Sequence, residues 1–278
     1  MSELENPLVQ KTLKVIPPTT IRLPSKGMFY TNDELNEEVT NGEILLYPMT
    51  TIDEIIIRSP DMLLQGTAIE KIINNCAPQV KKPLHLFSKD VDYILIQLHK
   101  LSYDDERLLS FRCPTCEEHV SNDEKIVTHQ YPLSINYFIQ HSRELEKEDR
   151  ERYLITLSNQ MVVNLRPSRY NEMLKMYQIN DENKSPEEQR DIIVQSVLSV
   201  IDNVDRIRDV AQIKEWLEKL PIRFMQEIIE KISDANDWGP DFKYEITCRD
   251  CSTKHDISYL INPVSFFMLP SSPKTNKN

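Results

Sequence analysis

With 278 residues, 40% of them hydrophobic and 28% charged, the chain has the balance of a soluble globular protein and the length to bury a real core without staples. No run of 18 apolar residues is present, which excludes a membrane-spanning helix. A net charge of −11 argues against broad attachment to nucleic acid or anionic lipid, both of which need clustered Lys and Arg.

The first residues, Met1–Glu5, are acidic and lack an apolar run, so a cytosolic setting rather than a secretory leader is expected. Residues 1–30 read as an extended arm, with little periodicity and a Pro17-Pro18 pair. Within it, Pro24 and Gly27 suit a turn between extended pieces. Two readings are open for this segment. It is a strand edge and turn packed on the first half, or it docks on a neighbour by strand addition through Leu23, Pro24, Ser25, Lys26, Gly27 and Tyr30.

The segment Ile44–Ile56 reads as strand, turn and helix start, with Thr51 and Glu54 spaced for a capping box. Helical spacing follows over Gln65–Asn75, where Cys76 is expected as a small buried apolar residue, and over Lys89–Leu101, with Ser88 as N-cap. Leu108–Arg112 reads as a short strand running into Cys113-Pro-Thr-Cys116, and Glu117–Val127 as a polar turn with strand-like residues after it. The charged run Arg143–Arg152 reads as a solvated helix.

A second unit opens in the same way. Met161–Leu174 has an apolar strand, Pro167-Ser168, then an acidic helix start, and aligning Glu54 with Glu172 also aligns Thr50 with Ser168 and Asp53 with Asn171. Ser185-Pro186-Glu187-Glu188 combines an N-cap, an N1 proline and an N3 acid, for a helix reaching about Ile201. Asp209 caps a helix through Leu217, and Pro221–Ala235 is another. Phe242–Thr247 alternates as a strand into Cys248-Arg-Asp-Cys251, with a polar turn and strand over Ser252–Leu260.

Two residues between cysteines let one tight turn aim both sulfurs at a tetrahedral ion, so two such turns supply a complete four-thiolate shell. Cys113, Cys116, Cys248 and Cys251 are therefore expected to bind one structural zinc ion. A disulfide is disfavoured in a reducing cytosol, and a redox CxxC opens a helix in a βαβ unit, whereas these close strands. His119 and His255 lie near the pairs and are read as surface residues, since no ligand is missing. The 131 residues between Cys116 and Cys248 exceed any one-piece zinc ribbon. Each half of the chain supplying one knuckle accounts for that gap.

The expected fold is thus α+β and helix-rich: two similar strand–helices–zinc-knuckle halves joined by one four-cysteine zinc site. Residues 31–142 form the first half and 143–268 the second, after the arm 1–30 and before a disordered tail 269–278. Four scattered glycines exclude phosphate-cradling loops, and six histidines fit no HExxH or triad pattern, so no enzyme is expected. A zinc-ribbon nucleic-acid-binding or transcription factor is the rival class. Against it, Arg112 and Arg249 stand among acids rather than in a basic cluster.

Five short motifs in order carry a resemblance. They are Leu-Pro-Ser-Lys-Gly-x-x-Tyr at Leu23–Tyr30, Pro-Met-Thr-x-x-Asp-Glu at Pro48–Glu54, Cys-Pro-x-Cys at Cys113–Cys116, Trp-Leu-Glu-x-Leu-Pro at Trp216–Pro221, and Trp-Gly-Pro-Asp-Phe at Trp238–Phe242 ahead of the second CxxC. Together they resemble the baseplate hub subunit and hub-assembly proteins of T4-like contractile-tailed phages, over residues 21–268. The resemblance implies a non-enzymatic protein of tail morphogenesis, a hub component or an assembly chaperone. It implies other tail and hub proteins as partners, and a place in the host bacterial cytoplasm or the virion tail baseplate.

Overall fold

The computed structural model describes residues 17–59, 61, 62, 65–103, 105–117, 128–179 and 185–258. Most of the arm 1–30 and the tail 269–278 lie outside them. The described residues build α-helices and small antiparallel sheets around two apolar clusters. None of the described helices is long and apolar enough to cross a membrane.

Strand β1 (Thr19–Arg22) pairs with β2 (Glu43–Leu46), sending Ile21, Ile44 and Leu46 inward. Between them the chain folds back so tightly that the Leu23 N–H donates to the Gly42 carbonyl at 2.9 Å. Gly42 has φ +71°, and a Cβ there would stand 2.7 Å from the Lys26 carbonyl carbon and 2.8 Å from the Gly27 nitrogen. Backbone cannot yield as a flexible side chain does. Gly42→Ala is expected to cost about 2–4 kcal/mol, combining left-handed strain with overpacking. Gly27→Ala, whose nearest neighbour is 3.3 Å away, should cost less. Urea midpoints of the two variants check the order.

Helix α1 (Thr51–Ile57) corrects the expected cap. The N-cap is Thr50, whose hydroxyl accepts from the Asp53 N–H while Asp53 accepts from the Thr50 N–H at 2.8 Å. Paired threonines and paired acids offer two registers. The adopted one buries Asp53, whose other oxygen accepts from Asn75 at 2.7 Å, and turns Glu54 out to Arg58. Helix α2 (Thr67–Cys76) buries Ala68, Ile69, Ile72, Ile73 and Cys76, and burial pushes the Cys76 thiol up to about 12. Helix α3 (Ser88–Ser102) starts on Phe87, not on a Ser88 cap. The Phe87 ring is buried and stacks on Tyr30 at 4.5 Å, so aromatic packing sets that helix start.

Strand β3 (Glu106–Phe111) leads through one helical turn, α4 (Pro114–Glu117), and pairs over its full length with β4 (His129–Ser134). The strand-like stretch expected after the first CxxC lies largely outside the described residues, and the return strand starts later, at His129. Helix α5 (Ile135–Gln140) then adds Ile135 and Phe138 to the first cluster, which is built mainly from residues 21–138.

The second cluster lies on a three-stranded sheet, β5 (Leu154–Thr156), β6 (Val162–Leu165) and β7 (Ile201–Val204), with β6 central. Helix α6 (Tyr170–Ile179) turns Tyr170, Met173 and Leu174 onto the first cluster, and helices α7 (Pro186–Ser199), α8 (Val210–Lys219) and α9 (Ile222–Ala235) complete the second. The expected caps at Ser185 and Asp209 are present. Helix α7 stops at Ser199, because Ile201 is already paired with Leu165 in the sheet. Arg143–Arg152 is not a solvated helix. Arg143 bridges to Gly239, a 3₁₀ turn spans Glu148–Tyr153, and Leu145 and Asp149 are buried. Last, β8 (Lys243–Thr247) pairs with β9 (Lys254–Ser258). This hairpin leans on the first cluster: Phe242 meets Phe138 at 5.5 Å, and Tyr244 meets Tyr137 at 5.3 Å.

Candidate metal centre

Two hairpin ends bring the four CxxC cysteines together. In the first, Pro114 opens the single turn of α4, so Cys113 and Cys116 fall on the same side of it. In the second, the Cys248 N–H donates to Thr253 at 2.9 Å and the Ser252 N–H to Cys248 at 3.0 Å, with Ser252 left-handed at φ 58°. All four sulfurs lie within 4.8 Å of one another. Two of the approaches run between hairpins, Cys113 to Cys251 at 3.6 Å and Cys116 to Cys248 at 3.7 Å. A tetrahedron with metal–sulfur bonds of about 2.3 Å has sulfur–sulfur edges of about 3.8 Å, whereas a disulfide needs about 2.05 Å. The cysteines are free and placed as a shell that can hold one metal ion.

The thiols interact electrically. The Thr253 hydroxyl, then its backbone N–H, favour the Cys251 thiolate and push it down to about 6. Cys116 is pushed up, first by its hydrogen bond with Cys251. Such a cluster shares protons among its sulfurs until a cation takes their place.

A second layer of contacts clasps the hairpins. The His255 Nε2 lies 3.1 Å from Cys113 Sγ, with its ring 5.4 Å from that of Phe111. From the first hairpin, the Tyr131 hydroxyl accepts from the Arg249 N–H at 3.0 Å, under an Arg249 guanidinium 5.0 Å from the ring centre. His129 Nε2 reaches Asp250 at 2.5 Å. Thus the Arg249-Asp250 pair inside the second CxxC is held by β4. Sequence reasoning placed His255 on the surface, but it is half-buried against a candidate ligand. It missed His129 and Tyr131, which carry no local motif. His119 lies outside the described residues.

The arm residues are elsewhere, between the two clusters. Leu23, Pro24 and Ser25 are buried, and Lys26, Gly27 and Tyr30 are half-buried. The Ser25 N–H donates to Asp90 at 3.0 Å, and the Tyr30 hydroxyl donates to the same carboxyl at 2.7 Å while accepting from the Phe87 N–H at 2.6 Å. Burial pushes the Asp90 carboxyl up to about 6, although the Ser25 and Tyr30 bonds oppose it. Lys26 pairs with Glu146 at 2.6 Å and Glu144 at 3.1 Å, and the Leu145 N–H donates to the Pro24 carbonyl at 2.7 Å. The segment is not packed on the first half alone: Met28, Phe29 and Tyr30 also pack against the second cluster. A groove of about 880 Å³ between β5 and α9, lined by Arg152, Leu154, Lys231 and Asp237, has no cysteine or histidine in its lining.

Over residues 29–268 the chain matches the family model described as T4 bacteriophage base plate protein. No curated protein and no solved structure matched it.

Proposed function

We propose, from the premise that the chain belongs to the T4 bacteriophage base plate protein family, that it serves in morphogenesis of the baseplate hub, as a hub component or an assembly chaperone. It acts by binding other tail and hub proteins, not by chemistry. It does so in the host bacterial cytoplasm or within the virion tail baseplate. The observation that carries this reading is the family match over residues 29–268.

The ion of the four-cysteine centre is zinc in this reading, held by Cys113, Cys116, Cys248 and Cys251. Four thiolates fill a tetrahedral ion and leave no position for a reacting water, which suits a structural role. The zinc fixes the placement of two similar halves. In support, α1 and α6 each carry an acid at their third position that accepts from the backbone N–H just before the helix, Asp53 from Thr50 and Glu172 from Arg169. On this reading the matched pair is Asp53 with Glu172, one residue away from the alignment that sequence suggests.

Deleting the gene in its phage is expected to leave heads and genome replication intact and to give tail-less particles by electron microscopy. Normal tails would sink the hub reading.

A further inference from the structure

We propose that His255 is a spare donor of the metal centre, able to replace Cys251 as the fourth ligand. The inference rests on the reading of the four cysteines as a metal shell and adds a fifth side chain to it.

The four cysteines are not equivalent. Cys113 and Cys248 are buried, Cys116 is half-buried, and Cys251 is exposed. The exposed vertex is the one open to competing ligands and to reagents that attack sulfur. Cys113 Sγ is the common neighbour of the two groups in question: it lies 3.6 Å from Cys251 Sγ and 3.1 Å from His255 Nε2. A mixed tetrahedral edge, with bonds of about 2.3 Å to sulfur and 2.0–2.1 Å to nitrogen, is about 3.5 Å long. The imidazole therefore sits within a few tenths of an ångström of ligand spacing from one sulfur already in the shell. With Cys251 in place, the same nitrogen can donate its N–H to the Cys113 thiolate, an ordinary outer partner of a metal ligand.

The backbone keeps His255 in that position independently of Cys251. It sits inside β9, opposite Ile246 in the register, and its ring rests on Phe111 of the first hairpin. Removing the Cys251 side chain opens a vertex next to Cys113 and leaves these supports intact. Exchange of thiolate for neutral imidazole also removes one of the negative charges that four thiolates impose on a divalent ion. Three thiolates and one imidazole form a common structural shell for zinc.

The test uses cobalt(II) as an optical probe on the full chain, comparing wild type with Cys251→Ala, His255→Ala and the double variant. Wild type and His255→Ala should each bind one cobalt with a four-sulfur spectrum. Cys251→Ala should still bind one cobalt, with ligand-field bands moved to shorter wavelength and sulfur-to-cobalt charge-transfer intensity lower by about a quarter, for one thiolate lost of four. The double variant should bind at least about tenfold more weakly than Cys251→Ala, on the scale of losing a supporting contact or more. A Cys251→Ala chain that misfolds or binds no cobalt overturns the inference, as does a double variant that binds as well as the single one. Loss of cobalt in His255→Ala alone would make His255 an obligatory ligand and overturn it equally. A wild-type chain that takes up no cobalt removes the metal reading itself, a failure distinct from all of these.

Discussion

Exchanging Cys248 for serine should take the metal content from one ion per chain to none and release both hairpins together. Cys248 is buried, and its backbone closes the second turn, so no solvent ligand can take its place without opening the site. An ion held by all four sulfurs would also close a loop of 131 residues between Cys116 and Cys248. A cross-link of that span is worth about 4–5 kcal/mol in chain entropy, before any bond energy is counted. Loss of the ion should free Arg249 and Asp250 from Tyr131 and His129, and uncover Phe138 where Phe242 packs. Native mass spectrometry reads the stoichiometry, and urea unfolding with and without chelator reads the stability. A wild-type chain that is metal-free yet equally stable in both conditions refutes the structural role.

Replacing Asp90 with alanine is expected to loosen the joint between the two clusters. The Ser25 N–H and the Tyr30 hydroxyl would each lose an acceptor in a buried place. At roughly 1–3 kcal/mol for each stranded donor, a loss of about 2–6 kcal/mol follows. Asp90→Asn isolates the charge. The folded carboxyl titrates near 6, above the usual carboxylate value, so its contribution favours folding at low pH and is lost as pH rises through 6. Between pH 4 and 7 the wild type should therefore lose stability relative to Asp90→Asn. Parallel pH curves for the two would show that the carboxyl does not titrate in this range.

Local chemistry was legible in the sequence. The CxxC spacing picked out the four cysteines, and the caps at Ser185 and Asp209 could be read because each side chain bonds within four residues of itself. Where two local solutions were equally good, sequence could not choose. Thr50 and Thr51 face Asp53 and Asp53's neighbour Glu54 with the same spacing, and the tie is broken by Asn75, far along the chain. The Phe87 cap is decided by a ring from Tyr30. The Arg143–Arg152 run looked solvated because its charges outnumber Leu145, yet that leucine and Asp149 are what the fold encloses. The clasp of His129 and Tyr131 on Asp250 and Arg249 joins residues about 120 apart, beyond any pattern of periodicity.

The division of the metal centre between distant hairpins also bears on the order of events at the ribosome. At roughly 5–20 residues per second, the 131 residues between Cys116 and Cys248 take about 7–26 s to synthesise. Through that interval the first hairpin carries two thiols with no partners, and Phe138 waits for the ring that will cover it. Capture of an ion by all four sulfurs would thus wait until Cys251 has been synthesised. A product that stops short of Cys248 has half a shell and an open apolar surface, so a filled centre marks a polypeptide translated at least through Cys251.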